Sequence, residues 1–230
     1  HHEIKLLEDN AALKAKMNEL GLRSKEFFKV DIGDIVLDAW MIKPKDFDPQ
    51  KKYPVIFHVY GEPAGSTVQD NWGTGDNLWH QYLANEISCV VISIDNRGTR
   101  VPRGRAFRKC IYRQIGLLAA DDQAAAAKKI VAMYPFIDAA HTGIWGWSGG
   151  GQMSLHCIFR HGDVFKSAIA IAFVAHQALY DNIYQERYMG LPQENRDDFV
   201  KNSPISRVQG LKGDLLYIHG TGDDNVHYSN

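Results

Sequence analysis

A glycine-flanked serine is the residue of this sequence best suited to covalent chemistry. It lies in Gly146-Trp147-Ser148-Gly149-Gly150, between the apolar run 142–145 and the helix-like stretch 151–160. This order predicts a strand, a sharp turn and a helix, with the Ser148 hydroxyl exposed where the helix begins. The unpaired N–H groups of a helix N-terminus suit a developing oxyanion. We therefore predict Ser148 to be the nucleophile of a hydrolase, with an ordinary glycine-rich turn as the alternative.

Asp223 is the predicted acid of a catalytic triad. A serine hydroxyl becomes a good nucleophile when a histidine takes its proton and an acid orients that histidine. After a serine in such a turn, the chain order is acid and then histidine. Asp223 follows the apolar run 215–219 and lies in a glycine-rich turn. Asp224 is the alternative acid, and turn formation alone is the alternative role for both aspartates.

None of the ten histidines is well placed to complete the triad. His227 is the only histidine after the acid, and four residues of separation within one loop are too few for it to reach the serine. His156 and His161 lie on or just after the predicted helix and point away from its tip. His219 ends a strand and is predicted to be a packed residue. The sequence therefore predicts an incomplete triad.

Alternating strands and helices are predicted around these residues. The strands are expected over residues 27–30, 35–42, 55–60, 89–94, 144–147, 167–171 and 215–219. The helices are expected over residues 11–20, 77–85, 119–133 and 151–160, with long loops over 61–75 and 192–204. The pattern predicts an α/β fold with a mostly parallel sheet and helices on both faces. Ser148 and Asp223 would then both lie at the carboxyl ends of strands, where such folds carry their chemistry.

Residues 1–26 are predicted to form an arm outside the main domain, which takes residues 27–230. The arm contains a short amphipathic helix with Asn10 as its N-cap and Gly21 as its stop. One large α/β domain is consistent with 230 residues of which 45% are apolar.

The composition argues against several classes of protein. A net charge of -1 gives no electrostatic reason to expect a nucleic acid or an anionic membrane as a partner. The basic stretch 97–113 lacks interleaved stacking aromatics and is predicted to be a solvated loop. No apolar run approaches the ~20 residues of a membrane span. Three cysteines are too few for a disulfide framework or a zinc site, and Cys89 is predicted to be buried packing. We expect no metal and no cofactor.

Three segments together carry a family likeness: GWSGG at 146–150, YDNIYQERYMGLP at 180–192 and HGTGDDNVH at 219–227. They resemble the dipeptidyl peptidase IV branch of the prolyl oligopeptidase family, and the likeness extends from about Phe27 to the end. The resemblance implies the catalytic domain of an α/β-hydrolase that cleaves peptides after proline or alanine near their N-terminus. It implies Ser148 as the nucleophile and Asp223 as the triad acid.

The resemblance also implies the groups that would bind substrate. Tyr60 would donate its phenol O–H to the oxyanion beside the Gly149 backbone N–H. The wall of the small apolar pocket for the proline ring would consist of Tyr180, Tyr184, Val174 and Val226. Asn225 would hydrogen-bond a substrate carbonyl. Without the resemblance, the sequence predicts that Tyr60 packs at the end of a strand. It predicts that Tyr180 and Tyr184, at i and i+4, form a stripe of a helix that faces the core.

The chain departs from the family at several points. Gly149 replaces the tyrosine usual after the serine in the animal enzymes, although its N–H remains, and Gln177 replaces a tryptophan at the pocket edge. The family's N-terminal β-propeller, whose glutamates bind the substrate's free amine, is not in this sequence. The family's dipeptidyl specificity is therefore not assigned to this chain. The family's final strand, helix and histidine are also missing from it. We expect a catalytic domain that is incomplete at its C-terminus, with the propeller as its partner and a periplasmic or extracytoplasmic location.

Without that last strand, we expect strand 215–219 to lie near an exposed sheet edge. Uncovered apolar surface there predicts that the chain self-associates as a homo-oligomer or takes a segment from a neighbour.

Three functions are consistent with these features. The leading interpretation is a serine exopeptidase domain that is active only when the missing histidine is present. An esterase-like hydrolase is the second, because the serine motif alone does not select amides over esters. A non-catalytic peptide-binding module that keeps the apolar pocket is the third.

Overall fold

Seven strands form one mixed sheet. The computed structural model describes residues 5–71 and 76–230, so the end of the predicted loop 61–75 lies outside the described residues. In chain order the strands are β1 (Glu26–Asp31), β2 (Val36–Ile42), β3 (Tyr53–His58), β4 (Val90–Asp95), β5 (Ile137–Trp147), β6 (Ser167–Ile171) and β7 (Asp214–Ile218). They lie side by side in the order β1-β2-β4-β3-β5-β6-β7.

The sheet is parallel from β4 to β7 and antiparallel at the other side. β1 pairs antiparallel with β2, and β2 pairs antiparallel with β4. The pairs β4/β3, β3/β5, β5/β6 and β6/β7 are all parallel. The predicted mostly parallel sheet and the predicted hairpin at its start are therefore confirmed. Because β5, β6 and β7 are parallel, their carboxyl ends meet at one edge, where the Ser148 and Asp223 segments begin.

Helices cover both faces of the sheet. They are α1 (Ala11–Glu19), α2 (Asp76–Asn85), α3 (Gly104–Lys109), α4 (Leu117–Met133), α5 (Gly149–Arg160), α6 (Asn182–Met189) and α7 (Arg196–Lys201). Short 3₁₀ helices add Gln177–Leu179 and Pro204–Gly210. Leu37 and Met41 of β2 join a core with α4 and α5, whereas Trp40 and Ile42 pack with Leu83 of α2. Successive β2 residues thus enter different cores, as strand alternation requires.

Helix α1 lies outside both cores. None of its residues is buried, and the arm over residues 1–26 remains a prediction. The predicted cap was wrong: Asn10 adopts a left-handed conformation and its side chain caps nothing. Asp9 takes that role, because its Oδ1 accepts the Ala11 N–H at 2.8 Å. A side chain one position earlier can reach the same free N–H groups of the first turn.

Two predicted loops contain helices. Residues 192–204, expected to be a polar loop, include α7, because Phe199 packs into a buried cluster with Ile115 and Met189. The basic stretch 97–113 includes α3 and is only partly solvated. Arg97 ion-pairs with buried Asp122 at 2.6 Å and with Asp34 at 2.7 Å. Tertiary contacts, absent from a local pattern, stabilise both segments.

Strand β7 lies at the edge of the described sheet. Three successive apolar residues there are exposed: Leu216 by 54%, Tyr217 by 67% and Ile218 by 46%. Residues on both faces of β7 therefore meet solvent. The predicted apolar edge is present, and its self-association remains a prediction.

Candidate active site

Ser148 lies at the turn between β5 and α5. Its φ of 59° and ψ of -119° lie in a region that residues with a Cβ rarely adopt. A Cβ at Gly146 would lie 2.4 Å from the carbonyl of Gly150, and a Cβ at Gly150 would lie 2.2 Å from the carbonyl oxygen of Val59. The Ser148 N–H donates to the Ile171 carbonyl at 2.8 Å. The predicted strand, sharp turn and helix are confirmed, and backbone packing that only glycine permits holds the serine at their apex.

A cavity of about 360 Å³ opens in front of Ser148. It is lined by His58, Val59, Tyr60, Ala64, Gly65, Ser66, Thr67, Trp145, Trp147 and Ser148. Neither the Ser148 nor the Tyr60 hydroxyl hydrogen-bonds to another described residue. Gly149 is the first residue of α5, so its N–H belongs to the group without a partner inside the helix. The structure thus brings the serine and the predicted phenol donor to the same cavity.

The loop that carries Tyr60 is tied to the end of β4. The Asn96 side chain donates to the Gly61 carbonyl at 3.0 Å. Asp95 accepts the N–H groups of Thr67 at 2.8 Å and Val68 at 3.1 Å. Burial raises the pKa of Asp95, and these backbone hydrogen bonds oppose that shift. The position of Asp95 directly after a predicted strand was the only signal in the sequence that it anchors this loop.

Tyr60 is placed to act as a hydrogen-bond donor. Its ring lies against Gly65, where a Cβ would come within 2.5 Å of the ring. Burial, and to a lesser extent the charge of the Glu62 carboxylate, raises the pKa of the Tyr60 phenol to about 12. The phenol therefore keeps its proton at neutral pH. A protonated donor at the cavity wall suits an oxyanion, as the sequence analysis anticipated.

The predicted pocket tyrosines form a connected stripe. The rings of Tyr180 and Tyr184 are 5.6 Å apart, and those of Tyr184 and Tyr188 are 4.9 Å apart, both edge to face. The Tyr180 hydroxyl donates to Asn225 Oδ1 at 3.4 Å. Val174 and Val226 are both buried. Tyr180, just before α6, therefore links this tyrosine stripe to the turn after β7, although none of the three tyrosines lines the cavity in front of Ser148.

Asp223 is held by its own turn. Its Oδ1 accepts the N–H of Asn225 at 3.0 Å and that of Val226 at 2.9 Å. These two hydrogen bonds lower the pKa of the Asp223 carboxyl, which stays ionised at neutral pH. The carboxylate thus forms the turn that was the alternative role for it, and its Oδ2 lies 3.5 Å from His219 Nε2. No hydrogen bond that involves the Asp224 side chain occurs among the described residues.

The four histidines considered above lie where the sequence analysis expected them. His219 Nε2 is 2.7 Å from the Val226 carbonyl and 3.5 Å from Asp223 Oδ2, so this ring packs under the acid's turn. His156 is fully buried, and His161 contacts Asp121 at 2.9 Å. His227 is 2.8 Å from the Ser229 hydroxyl. In the part of the chain that the structure describes, no imidazole hydrogen-bonds to Ser148.

Glu62 is a site residue that the sequence analysis missed. It is 2% exposed, and its Oε2 accepts the Tyr184 hydroxyl hydrogen at 2.9 Å. Burial raises the pKa of this carboxyl to about 8. A glutamate beside proline in a loop carries no sequence signal for burial, because glutamate is among the residues most often exposed.

Gln177 was expected at the pocket edge. Its side chain instead points into the protein, where its amide donates to the Asn202 carbonyl at 3.0 Å. This residue holds the 3₁₀ helix Gln177–Leu179 against the end of α7.

The described residues contain no group of three or more histidines, cysteines, aspartates or glutamates that could hold a metal ion. No helix over residues 5–71 or 76–230 is both long and apolar enough to cross a membrane.

The chain is similar to known peptidases over nearly its whole length. Residues 76–230 match the sequence profile of the prolyl oligopeptidase family. The chain is 37% identical over 231 residues to the prolyl endopeptidase FAP of Bos taurus, covering 99% of this chain and 30% of that protein. It is 37% identical over 233 residues to the dipeptidyl peptidase 4 of Trichophyton equinum, covering 99% of this chain and 29% of that protein.

A solved structure agrees with these likenesses. The crystal structure of Porphyromonas gingivalis dipeptidyl peptidase 4 matches with a TM-score of 0.92 and 41% identity, covering 99% of this chain and 32% of that one. The α/β-hydrolase fold is thereby confirmed. The chain spans about 30% of the length of the curated relatives it matches.

Proposed function

The chain belongs to the prolyl oligopeptidase family, and from that premise we propose that it is the catalytic part of a serine peptidase. In this proposal the peptidase cleaves peptides after proline or alanine near their N-terminus. Ser148 is the nucleophile and Asp223 the acid of its triad. The third member is a histidine that the described residues do not place beside Ser148.

One observation carries the proposal: the strained Ser148 turn and Tyr60 line the same cavity. A serine fixed in a strained conformation at the start of a helix, with a phenol donor across the cavity, can serve as a nucleophile with an oxyanion site. Either feature alone also occurs in structural roles. Their meeting in one cavity favours acyl transfer.

The proposed reaction follows the geometry. Ser148 Oγ attacks the carbonyl carbon of the scissile bond while its proton passes to the histidine. The carbonyl oxygen becomes an oxyanion that accepts hydrogen bonds from the Tyr60 O–H and the Gly149 N–H, and each such donor is worth about 3 kcal/mol to the transition state. The histidine returns the proton to the leaving amine as the C–N bond breaks. Water then hydrolyses the acyl-enzyme by the same steps.

Substrate choice rests on the tyrosine stripe. The flat walls of Tyr180 and Tyr184, with the buried valines 174 and 226, suit the rigid ring of proline or the small side chain of alanine. Asn225 would offer its amide to a substrate carbonyl, and its hydrogen bond with Tyr180 keeps it at the pocket. Relatives named prolyl endopeptidase and dipeptidyl peptidase support this choice. A β-propeller partner and an extracytoplasmic location belong to the same proposal.

A non-catalytic peptide-binding module is the second candidate for residues 1–230 alone. It is favoured by the observation that no imidazole among the described residues hydrogen-bonds to Ser148. In that case the tyrosine stripe would bind peptides without cleaving them.

The two candidates are separated by labelling with a fluorophosphonate, which reacts only with an activated serine. Wild type, Ser148→Ala and Ser66→Ala are compared in the form of the protein that supplies the histidine; Ser66 lines the same cavity and is the matched control. The peptidase proposal expects labelling of the wild type and of Ser66→Ala, and none of Ser148→Ala. Equal labelling of Ser148→Ala would contradict the assignment of the nucleophile. Peptide binding without any labelling would favour the binding module for this chain.

A further inference from the structure

Glu62 is a buried carboxyl beside the nucleophile, and the proposed reaction does not use it. Its side chain lies directly over Gly149: a Cβ there would be 2.3 Å from Glu62 Cγ and 3.1 Å from Glu62 Cβ. A side chain at position 149 and the Glu62 side chain therefore cannot share this space. Glu62 packs against the residue whose N–H is proposed to bind the oxyanion.

The same carboxyl reaches the proposed substrate pocket. The Tyr184 hydroxyl donates to Glu62 Oε2 at 2.9 Å. Glu62 Oε1 is buried and has no hydrogen-bond partner among the described residues. An ionised carboxylate without water needs several donors, and one phenol provides a single hydrogen bond. The surroundings therefore favour the protonated, uncharged carboxyl.

The groups that face Glu62 come from three elements: Tyr60 on its own loop, Gly149 on α5 and Tyr184 on α6. None of them carries a positive charge at neutral pH. Arg100 and Arg187 line a cavity on the other side of Pro63, and neither forms an ion pair with Glu62 in the described part of the chain. No described cation thus compensates a negative charge at this position.

A charge on Glu62 would act on the oxyanion site. Once ionised, the Glu62 carboxylate raises the pKa of the Tyr60 phenol, so its charge opposes a negative charge beside Tyr60. The proposed oxyanion is a negative charge in that place. In a site that excludes water such a field is weakly screened, so the charge state of Glu62 changes the stabilisation of the transition state.

From these contacts we infer that Glu62 is a positioning residue that links the substrate pocket to the oxyanion site. Its uncharged carboxyl holds the Tyr184 phenol and fills the space over Gly149, and activity requires that it stay uncharged. The inference rests on the proposed function, since both linked groups belong to that site. Glu62 touches no reacting atom and acts through Tyr184, Gly149 and the field at Tyr60.

The inference sets the direction of a pH dependence. Burial raises the pKa of Glu62 and the hydrogen bond from Tyr184 opposes part of that shift, so that the pKa is about 8. The carboxyl is uncharged below that pH and ionises above it. Activity should therefore fall as the pH rises through about 8. The raised pKa also makes the stability of the fold depend on pH. The protonated Glu62 carboxyl stabilises the folded state in full at a pH below its ordinary pKa of 4.5, and this contribution is lost as the pH rises through the pKa of the folded state.

The test uses the form of the protein that supplies the histidine, and it compares pH profiles of kcat/KM for a chromogenic proline peptide, or of the rate of fluorophosphonate labelling. Glu62→Gln cannot ionise but keeps an oxygen for Tyr184. Relative to the wild type, its activity should rise about tenfold between pH 7 and pH 9, because the wild type loses its uncharged form. Glu86→Gln, an exposed glutamate, is the control and should keep the wild-type profile. Identical profiles for Glu62→Gln and wild type would overturn the inference.

Tyr184→Phe gives a second test with an opposite direction. The Tyr184 hydrogen bond lowers the pKa of Glu62, so its removal should move the alkaline loss of activity to higher pH. It should also raise KM, because a pocket wall loses its anchor. A shift to lower pH would contradict the role assigned to Glu62.

Direct titration keeps the inference separate from the proposed function. In protein labelled with ¹³C-glutamate, one carboxyl carbon should titrate near pH 8, and this signal should be missing from Glu62→Gln. If every glutamate titrates near its ordinary value, the inference fails even in an active enzyme. If the glutamate titrates near pH 8 while Ser148 is never labelled, the proposed function fails and the buried carboxyl stands.

Discussion

The Ser148 elbow, residues 146–150, and the acid turn, residues 219–227, lie at the carboxyl ends of parallel strands, but they are held by different means. The elbow lies at the end of β5, which has strands on both sides, and a Cβ added at Gly146 or Gly150 would clash with backbone atoms. The acid turn follows β7 at the sheet edge, and Asp223 is held by two hydrogen bonds from its own turn. Gly220 and Gly222 in that turn have open space around them.

This difference determines whether a substitution in each region affects the fold and the chemistry together or the chemistry alone. In the elbow, the backbone path that exposes Ser148 is also part of the core packing, so changes there disturb the fold and the nucleophile together. In the acid turn, the hydrogen bonds of the Asp223 side chain stay within the turn, so the carboxylate can be altered while the fold remains. The nucleophile is thus preorganised by burial, whereas the acid is preorganised by local hydrogen bonds.

The largest effect is expected from Gly150→Ala in the elbow. Alanine normally stabilises a helix by about 1 kcal/mol over glycine, but here its Cβ would lie 2.2 Å from the Val59 carbonyl oxygen. We expect a loss of about 3 kcal/mol in the free energy of unfolding and loss of fluorophosphonate labelling. Gly222→Ala is the matched variant in the acid turn and should change stability by less than about 0.5 kcal/mol. Urea denaturation measures both, and similar losses would show that the two regions are not held differently.

Asp223→Asn should leave the fold intact and reduce turnover. The asparagine oxygen can still accept the Asn225 and Val226 N–H groups, but it has no charge to stabilise the imidazolium. We expect kcat/KM to fall by about 10⁴-fold in the form of the protein that supplies the histidine. Asp224→Asn is the control and should retain activity. The reverse result would identify Asp224 as the acid, the alternative that the sequence left open.

The smallest effect on stability is expected at the edge strand. Leu216 is 54% exposed on β7, and lysine on an edge strand discourages pairing with a second chain. Leu216→Lys should change the free energy of unfolding by less than about 0.5 kcal/mol. The variant should nevertheless be a monomer under conditions in which the wild type is an oligomer. Sedimentation over a range of concentrations measures this, with Leu78 of α2, which is 61% exposed, replaced by lysine as the control. A wild type that is monomeric at every concentration would contradict the predicted self-association.

The sequence alone determined the elements with strong local patterns. The mostly parallel sheet, the hairpin of β1 and β2, and the turn at Ser148 were predictable because alternation, apolar runs and glycine spacing are properties of neighbouring residues. The packed state of His219 followed from its place at the end of a strand. Chain order predicted Asp223 as the acid, and family resemblance then assigned to Tyr60 a role that spacing could not supply. The segments predicted wrongly, α3 and α7, are short helices that depend on distant contacts.

Only the tertiary structure decided which distant residues meet. Arg97 and Asp122 are 25 positions apart, and Glu62 and Tyr184 are 122 positions apart. No local pattern distinguishes such pairs from solvated surface residues, because burial of a charged group is decided by what packs over it. For the same reason, the sequence does not indicate that Glu62 fills the space over Gly149. That contact depends on the packing of the loop after β3 against α5. The sequence thus determined the nucleophile's turn, and the packing of distant segments decided its electrostatic surroundings.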